Sequence, residues 1–396
     1  MKKEFFKRIL FKVVRELIAF FVIQKPNRIV FIQESHSGSN SYALYKLADN
    51  NMRSKFDLIL LSGLPLNQSI VNYINWYKII ASAKIIFTTH ASVKPSKKHI
   101  HFQLWHGNAT KKMGVMEHGN QEKFKPYKSW LNVDFIMSYS ETYTTFLNAC
   151  MVTDPKKYII TGAPRNDLLL ISDGVKNLKA IFGDQISNKK IIWFAPTFRD
   201  YFGRSQGNKS FQNLFGFKDF DLDKFDSFLE TQNCKIILKP HPQEEALLIE
   251  YFEHYQIKNV LLLKSSELEK LNIDFYEVLN SGDMLITDYS SLFYDFLLLK
   301  KPVLFTPVDI EKYEEDRGFL MEDFLNYAPG PVIDEQTKLM YEISKNLVVE
   351  KDAFKDKRDW MLKFHHRFTD SNSSSRIYDF IEKLKINKVQ EKKNER

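Results

Sequence analysis

From residue 28 onward the chain alternates short apolar runs with longer stretches in which apolar residues recur at helical spacing. The runs 29–33, 56–61, 84–88, 102–105, 134–138 and 157–161 predict strands, and 39–49, 68–81 and 141–150 predict the helices that cross between them. This alternation is the signature of a parallel sheet covered on both faces. A second series of runs lies at 191–195, 235–238, 259–263, 284–286 and 303–305, with helical patterns at 222–230, 276–279 and 290–299. Between the two series, Gly162, Pro164 and the turn-rich stretch 173–190 predict a linker. The resulting division is a leading helix over 1–24, an N-terminal α/β domain over 25–170, a C-terminal α/β domain over 190–333 and a helical segment over 334–396. Open parallel sheets bind ligands beyond the carboxyl ends of their strands, so the residues just past each strand are the informative ones.

The leading segment interleaves Lys2, Lys3, Lys7, Arg8, Lys12 and Arg15 with Phe6, Leu10, Val13, Leu17 and Phe20. That spacing predicts a basic amphipathic helix, which either lies on an anionic membrane surface or packs on the first domain. Its uncharged run, 17–23, is far shorter than the roughly 20 residues that span a bilayer, and no small-residue cleavage site comes after it. A second basic stretch, 383–396, adds to the membrane reading.

With 44% hydrophobic and 27% charged residues the composition is globular, and the net charge of +8 suits anionic partners. Zinc-finger spacing, an RNA-binding aromatic signature and a long basic helix are all missing, which argues against nucleic acid. Two cysteines, Cys150 and Cys234, can build neither a disulfide framework nor a four-cysteine zinc site, as expected of a cytoplasmic protein.

Chemistry gathers at the strand ends. After the run ending at Trp105 come His106, Gly107 and Asn108, with two lysines just beyond, an arrangement that suits a base beside an anion site. A lone histidine serves equally as a structural hydrogen-bonder. The next domain offers Thr197 and Arg199, whose guanidinium fork matches phosphate oxygens but could also form a surface pair with Asp200. Lys239-Pro240-His241-Pro242 holds an imidazole between prolines, which is either an oriented ligand or a rigid turn. Thr287-Asp288-Tyr289-Ser290-Ser291 precedes an apolar helical stretch, so its serines cap a helix start whose N–H groups suit a diphosphate. Arg317, ahead of Gly318, is a further candidate cation. No Walker loop, Rossmann glycine fingerprint, Gly-x-Ser-x-Gly elbow or His-Glu-x-x-His helix occurs, and Asp221-Leu222-Asp223 reads as a helix cap rather than a metal pair. No cofactor is therefore expected and no metal-binding residue is read from the sequence, which leaves dependence on a divalent metal open.

In this order, Trp105-His106-Gly107, Ala195-Pro196-Thr197-Phe198-Arg199, Lys239-Pro240-His241-Pro242, Thr287-Asp288-Tyr289-Ser290-Ser291, Arg317-Gly318 and Pro329-Gly330-Pro331 resemble the CDP-glycerol glycerophosphotransferase family, which builds teichoic acids and related capsules. The resemblance covers about 85–332. It implies a GT-B-like α/β architecture, two Rossmann-type domains facing a cleft, with the CDP-polyol held mostly by the second. It further implies that His106 is the general base, that His241 contacts the donor phosphates, and that Arg199, Ser290, Ser291 and Arg317 lie near the diphosphate. The partners implied are CDP-glycerol or CDP-ribitol and a lipid-linked polymer, met at the inner face of the cell membrane. Two other readings stand beside this one: a GT-B glycosyltransferase or epimerase using a nucleotide sugar, and a non-catalytic membrane-surface protein that binds anionic polymer.

Overall fold

The computed structural model describes the chain apart from residues 1, 35–36, 64–68, 91, 118–129, 131, 202–203, 206–213, 242–243, 256, 322, 349–351 and 395–396. Pro242 of the second histidine motif, and the side chains of Phe6 and Leu10, therefore lie outside the described residues.

Strands β1 (Arg28–Gln33), β2 (Asp57–Ser62), β3 (Ile85–Thr88), β4 (Ile100–Gln103), β5 (Phe135–Ser138) and β6 (Tyr158–Ile160) form one parallel sheet in the order β2-β1-β3-β4-β5-β6. The second half of the chain contributes β7 (Lys190–Phe194), a short antiparallel hairpin of β8 (Asp200–Tyr201) and β9 (Arg204–Ser205), then β10 (Cys234–Leu238), β11 (Val260–Leu262), β12 (Met284–Thr287) and β13 (Val303–Phe305). Its parallel sheet runs β11-β10-β7-β12-β13.

Both sheets read as continuous apolar runs because both faces are covered. Successive side chains on a strand point to opposite faces. Accordingly, Ile29 and Phe31 pack with Phe87 and Phe102, whereas Val30 and Ile32 pack with Trp76, Ile80 and Ile86 on the other side. In the second sheet Ile192 and Phe194 face one cluster, and Ile191 and Trp193 face another.

Most strands fall within a residue or two of expectation. One informative exception is β4, which ends at Gln103 because Trp105 adopts a left-handed backbone, φ 49°. The stretch expected to be a turn-rich linker does run between the two sheets but is largely helical. Pro164–Ile171 and Gly174–Phe182 are helices, with Pro164 in the first turn, where its missing N–H costs nothing, and Asp173 accepting from the Lys176 N–H. Asp221 caps the helix Leu222–Thr231 by accepting from the Lys224 N–H, as read from the sequence. The stretch after Ser290 is α-helical only over Leu292–Phe296, then tightens to a 3₁₀ turn at Leu297–Leu299.

The leading helix, Lys2–Phe21, packs on the first sheet's outer layer through Val14, Ile18 and the adjoining Val22, against Trp76, Tyr77 and Ile80. Val13, Leu17, Phe20 and Phe21 are not the packed residues; they are 47%, 53%, 81% and 72% exposed. The helix thus has one apolar stripe docked and another in solvent. Among the described residues no helix is long and apolar enough to cross a membrane.

After the second sheet come Gln336–Leu347, Lys355–His365 and Ser373–Asn394. They brace both sheets: Leu339 and Ile343 join one core of the second sheet and Met361 and Leu362 the other, while Ile377, Tyr378 and Ile381 return to the core of the first.

Candidate functional site

The carboxyl ends of both sheets open onto one cavity of about 840 Å³. His106, Gly107, Asn108 and Lys111 line it from the first sheet's lobe; Thr197, Phe198, Lys239, His241, Ser290, Ser291 and Arg317 line it from the second.

His106 is aimed by its backbone and its neighbours. The Asn40 amide donates to the carbonyls of Leu104 (3.1 Å) and Trp105 (3.0 Å), and the Trp105 N–H donates to Gln103 Oε1 at 3.0 Å, which fixes the left-handed turn. His106 Nδ1 lies 3.1 Å from the Thr89 carbonyl. A carbonyl can only accept, so Nδ1 carries the proton and Nε2 keeps its lone pair. The ring is held between the Trp105 indole (centroids 4.0 Å) and the His90 imidazole (4.1 Å, 5° from parallel). Although one edge of the ring stays open to the cavity, desolvation between Trp105 and His90, the His90 charge and the Arg165 guanidinium all disfavour a charged ring and hold its pKa below the usual histidine value. His90 Nδ1 in turn lies 3.8 Å from Glu34 Oε2.

Beside it, Gly107 is a contact point between the lobes. A Cβ there would meet Ser291 Oγ at 2.9 Å, so only glycine allows this approach without displacing the serine. Asn108 accepts from His365 Nδ1 at 3.0 Å, anchoring the loop to the C-terminal helices.

Beneath the loop, Arg165 donates to the carbonyls of His106 and Gly38 and to the carboxylate of Asp295, which also accepts from Asn166 (3.0 Å) and Tyr276 (2.7 Å). Arg165 and Asp295 are buried, and they tie the helix after β6 to the helix after β12.

On the second lobe, His241 stacks on Phe198 at 4.5 Å, and burial together with Lys239 keeps its pKa below the usual histidine value. Lys239 is paired with Glu245 at 2.9 Å and donates to Ser265 Oγ at 3.0 Å. Ser290 Oγ accepts from the Leu292 N–H at 3.4 Å, and Arg317 pairs across the lobes with Glu117. Arg199 and Asp288, expected at the diphosphate, lie beneath the cavity wall instead. Arg199 forks onto Asp309 (2.9 Å to both oxygens) and reaches Asp288 at 2.8 Å, while Asp288 accepts from the Thr197 N–H at 2.7 Å. That buried cluster leaves Thr197 Oγ1 without a hydrogen-bond partner among the described residues, in the cavity lining.

Sequence reasoning misses Glu34, His90, Glu117, Arg165, Tyr276 and Asp295, and meets Lys111 only as one of two lysines past Asn108. Glu34 and His90 lie just past β1 and β3, so the strand-end rule reaches them; Arg165 and Asp295 carry no local signal. Among the described residues no group of histidine, cysteine or carboxylate side chains is arranged to hold a metal ion.

The model of the CDP-glycerol:poly(glycerophosphate) glycerophosphotransferase family matches residues 15–383. Teichoic acid ribitol-phosphate polymerase TarL of Staphylococcus aureus is 26% identical over 94% of this chain, which spans 65% of that relative's length. Teichoic acid glycerol-phosphate primase of Bacillus subtilis is also 26% identical, with 93% of this chain and 92% of the relative covered. Among solved structures, the wall teichoic acid polymerase TagF aligns over 98% of this chain and 99% of its own, with a TM-score of 0.74 at 22% identity, which shows the GT-B-like fold.

Proposed function

Because this chain belongs to the CDP-glycerol:poly(glycerophosphate) glycerophosphotransferase family, we propose that it transfers glycerol phosphate or ribitol phosphate from a CDP-polyol to the hydroxyl end of a teichoic-acid-like or capsular polymer, releasing CMP. One observation carries the reading: a neutral histidine with its tautomer fixed and the Nε2 lone pair free stands at a cavity whose far wall holds cations and serine hydroxyls of the other lobe. His106 Nε2 takes the proton of the acceptor hydroxyl as its oxygen attacks the phosphorus bearing the polyol. The bond from that phosphorus to the CMP oxygen breaks in line, and CMP leaves as an anion. Phosphoryl transfer of this kind needs positioning and charge stabilisation more than covalent help. Arg317, Lys239, His241, Thr197, Ser290 and Ser291 supply these from the second lobe, which takes the donor; the first lobe takes the lipid-linked acceptor. Arg199 and Asp288 act as the frame that holds the Thr197 loop.

The exposed stripe of Val13, Leu17, Phe20 and Phe21, on a protein of net charge +8, supports a position on the anionic inner face of the membrane, where a lipid-linked acceptor resides.

Purified full chain is to be incubated with a lipid-linked glycerol-phosphate primer and CDP-glycerol, CDP-ribitol or UDP-N-acetylglucosamine. Release of CMP from a CDP-polyol is expected. UDP formation from the sugar nucleotide, with no CMP from either polyol, would overturn the reading in favour of a glycosyltransferase or epimerase.

A further inference from the structure

The loop after β4 does not stay with its own lobe. Lys111 forms an antiparallel bridge with Phe319, the Lys112 N–H donates to the Gly318 carbonyl (3.1 Å), and the Leu320 N–H donates to the Thr110 carbonyl (3.0 Å). The backbone of Lys111 is thereby fixed to the segment just past Arg317. Its side chain lines the cavity, with Nζ 5.3 Å from the centre of the Tyr313 ring.

What distinguishes Lys111 is charge balance. Lys239 is matched by Glu245, Arg317 by Glu117, Arg165 by Asp295, and Arg199 by both Asp288 and Asp309. No carboxylate among the described residues lies within ion-pair distance of Lys111; Asp288 attracts it from farther away but is already paired with Arg199. The other groups that face Lys111 are the guanidiniums of Arg199 and Arg317, the Tyr313 phenol and the His241 ring. A cavity-lining ammonium without a close counter-charge among the described residues, acted on by two guanidiniums, is a position that an anion completes.

We propose that Lys111 is a ligand for the donor's phosphates supplied by the opposite lobe, and that it gains a proton as a nucleoside diphosphate settles against it. The inference deepens the reading given under Proposed function and rests on it for the identity of the nucleotide. Burial and the two guanidiniums hold the Lys111 pKa down to about 7, against the pull of Asp288. A diphosphate reverses that balance and restores the ordinary lysine range. Before binding, the lysine is partly deprotonated near neutral pH and more so at pH 8, so binding takes up a fraction of a proton per site that grows from pH 7 to pH 8.

Calorimetric titration of the full chain with CDP-glycerol tests this, in buffers of different ionisation enthalpy at pH 7 and pH 8, for wild type, Lys111→Met and Lys111→Arg. Wild type is expected to take up protons, and more at pH 8. Lys111→Met should bind at least tenfold more weakly with that uptake gone. Lys111→Arg, always charged, should keep affinity within a few-fold yet lose the uptake, which a merely structural lysine would not produce. Wild-type affinity in Lys111→Met, or undiminished uptake in Lys111→Arg, which would send the proton to His241, overturns the proposal. If wild type fails to bind CDP-glycerol, the donor assignment falls by itself. The same titrations with UDP then decide the present inference, which stands if uptake depends on Lys111 and falls if it does not.

Discussion

Replacing Asp295 by leucine removes the carboxylate that faces Arg165 in a fully buried site. The guanidinium then keeps the carbonyls of Gly38 and His106 as acceptors but no carboxylate among the described residues. Breaking a buried pair by deleting one partner costs about 3–5 kcal/mol, because the remaining charge stays desolvated. With an unfolding entropy of about 2.1 cal/mol/K per residue, the 396 residues give about 0.8 kcal/mol/K, so Tm should fall by about 4–6 °C in a single transition. Arg165→Met should cost a similar amount, since it strands the carboxylate between Asn166 and Tyr276. The double variant removes both charges and should return to within about 2 kcal/mol of wild type, a coupling of several kcal/mol in a double-mutant cycle measured by chemical denaturation. Its stability will recover without its turnover, because Arg165 also holds the His106 carbonyl. Single variants within about 1 kcal/mol of wild type, or additive effects in the double, would refute the claim that this pair holds the lobes together.

His106→Ala should slow CMP release by roughly 10² to 10⁴ while CDP-glycerol affinity, measured calorimetrically, changes little, because the base serves the acceptor. The pH profile of kcat/KM carries a sign. The ring works as a base only when neutral, and its pKa is held below the ordinary value, so activity should persist as pH falls through 6.5 and fade only at lower pH. An acid limb at or above pH 6.5 contradicts the assigned environment, and His90→Gln should move the limb toward higher pH. Phe20→Glu with Phe21→Glu should reduce co-sedimentation with phosphatidylglycerol vesicles at least tenfold while turnover of a soluble acceptor and the circular dichroism spectrum stay unchanged. Unchanged vesicle binding would remove the membrane role from this helix.

The strands are legible because both sheets bury both faces, and each apolar run stands out from the polar stretches around it. The site is legible where a strand ends in an uncommon residue, as at His106 and His241. Arg199 shows the limit: its fork suits phosphate, and nothing near it in sequence reveals that Asp309, 110 positions away, occupies it. Arg165 and Asp295 meet across 130 positions and sit in otherwise ordinary helical patterns. Pro164 and Gly174 read as turn formers, although both residues are compatible with the first turn of a helix and stand there. Trp105 takes a left-handed backbone that large side chains seldom adopt, so no residue preference could have placed the end of β4.

The return of Ser373–Asn394 to the first sheet has a consequence for how the protein is made. The sheet's own strands are complete at Ile160, yet Ile377, Tyr378 and Ile381 seal their core, so at about 5–20 residues per second the ribosome leaves that core uncovered for about 10–45 s. During that interval the nascent chain presents apolar surface to chaperones and proteases, and a stop codon near residue 370 would disable the lobe synthesised first.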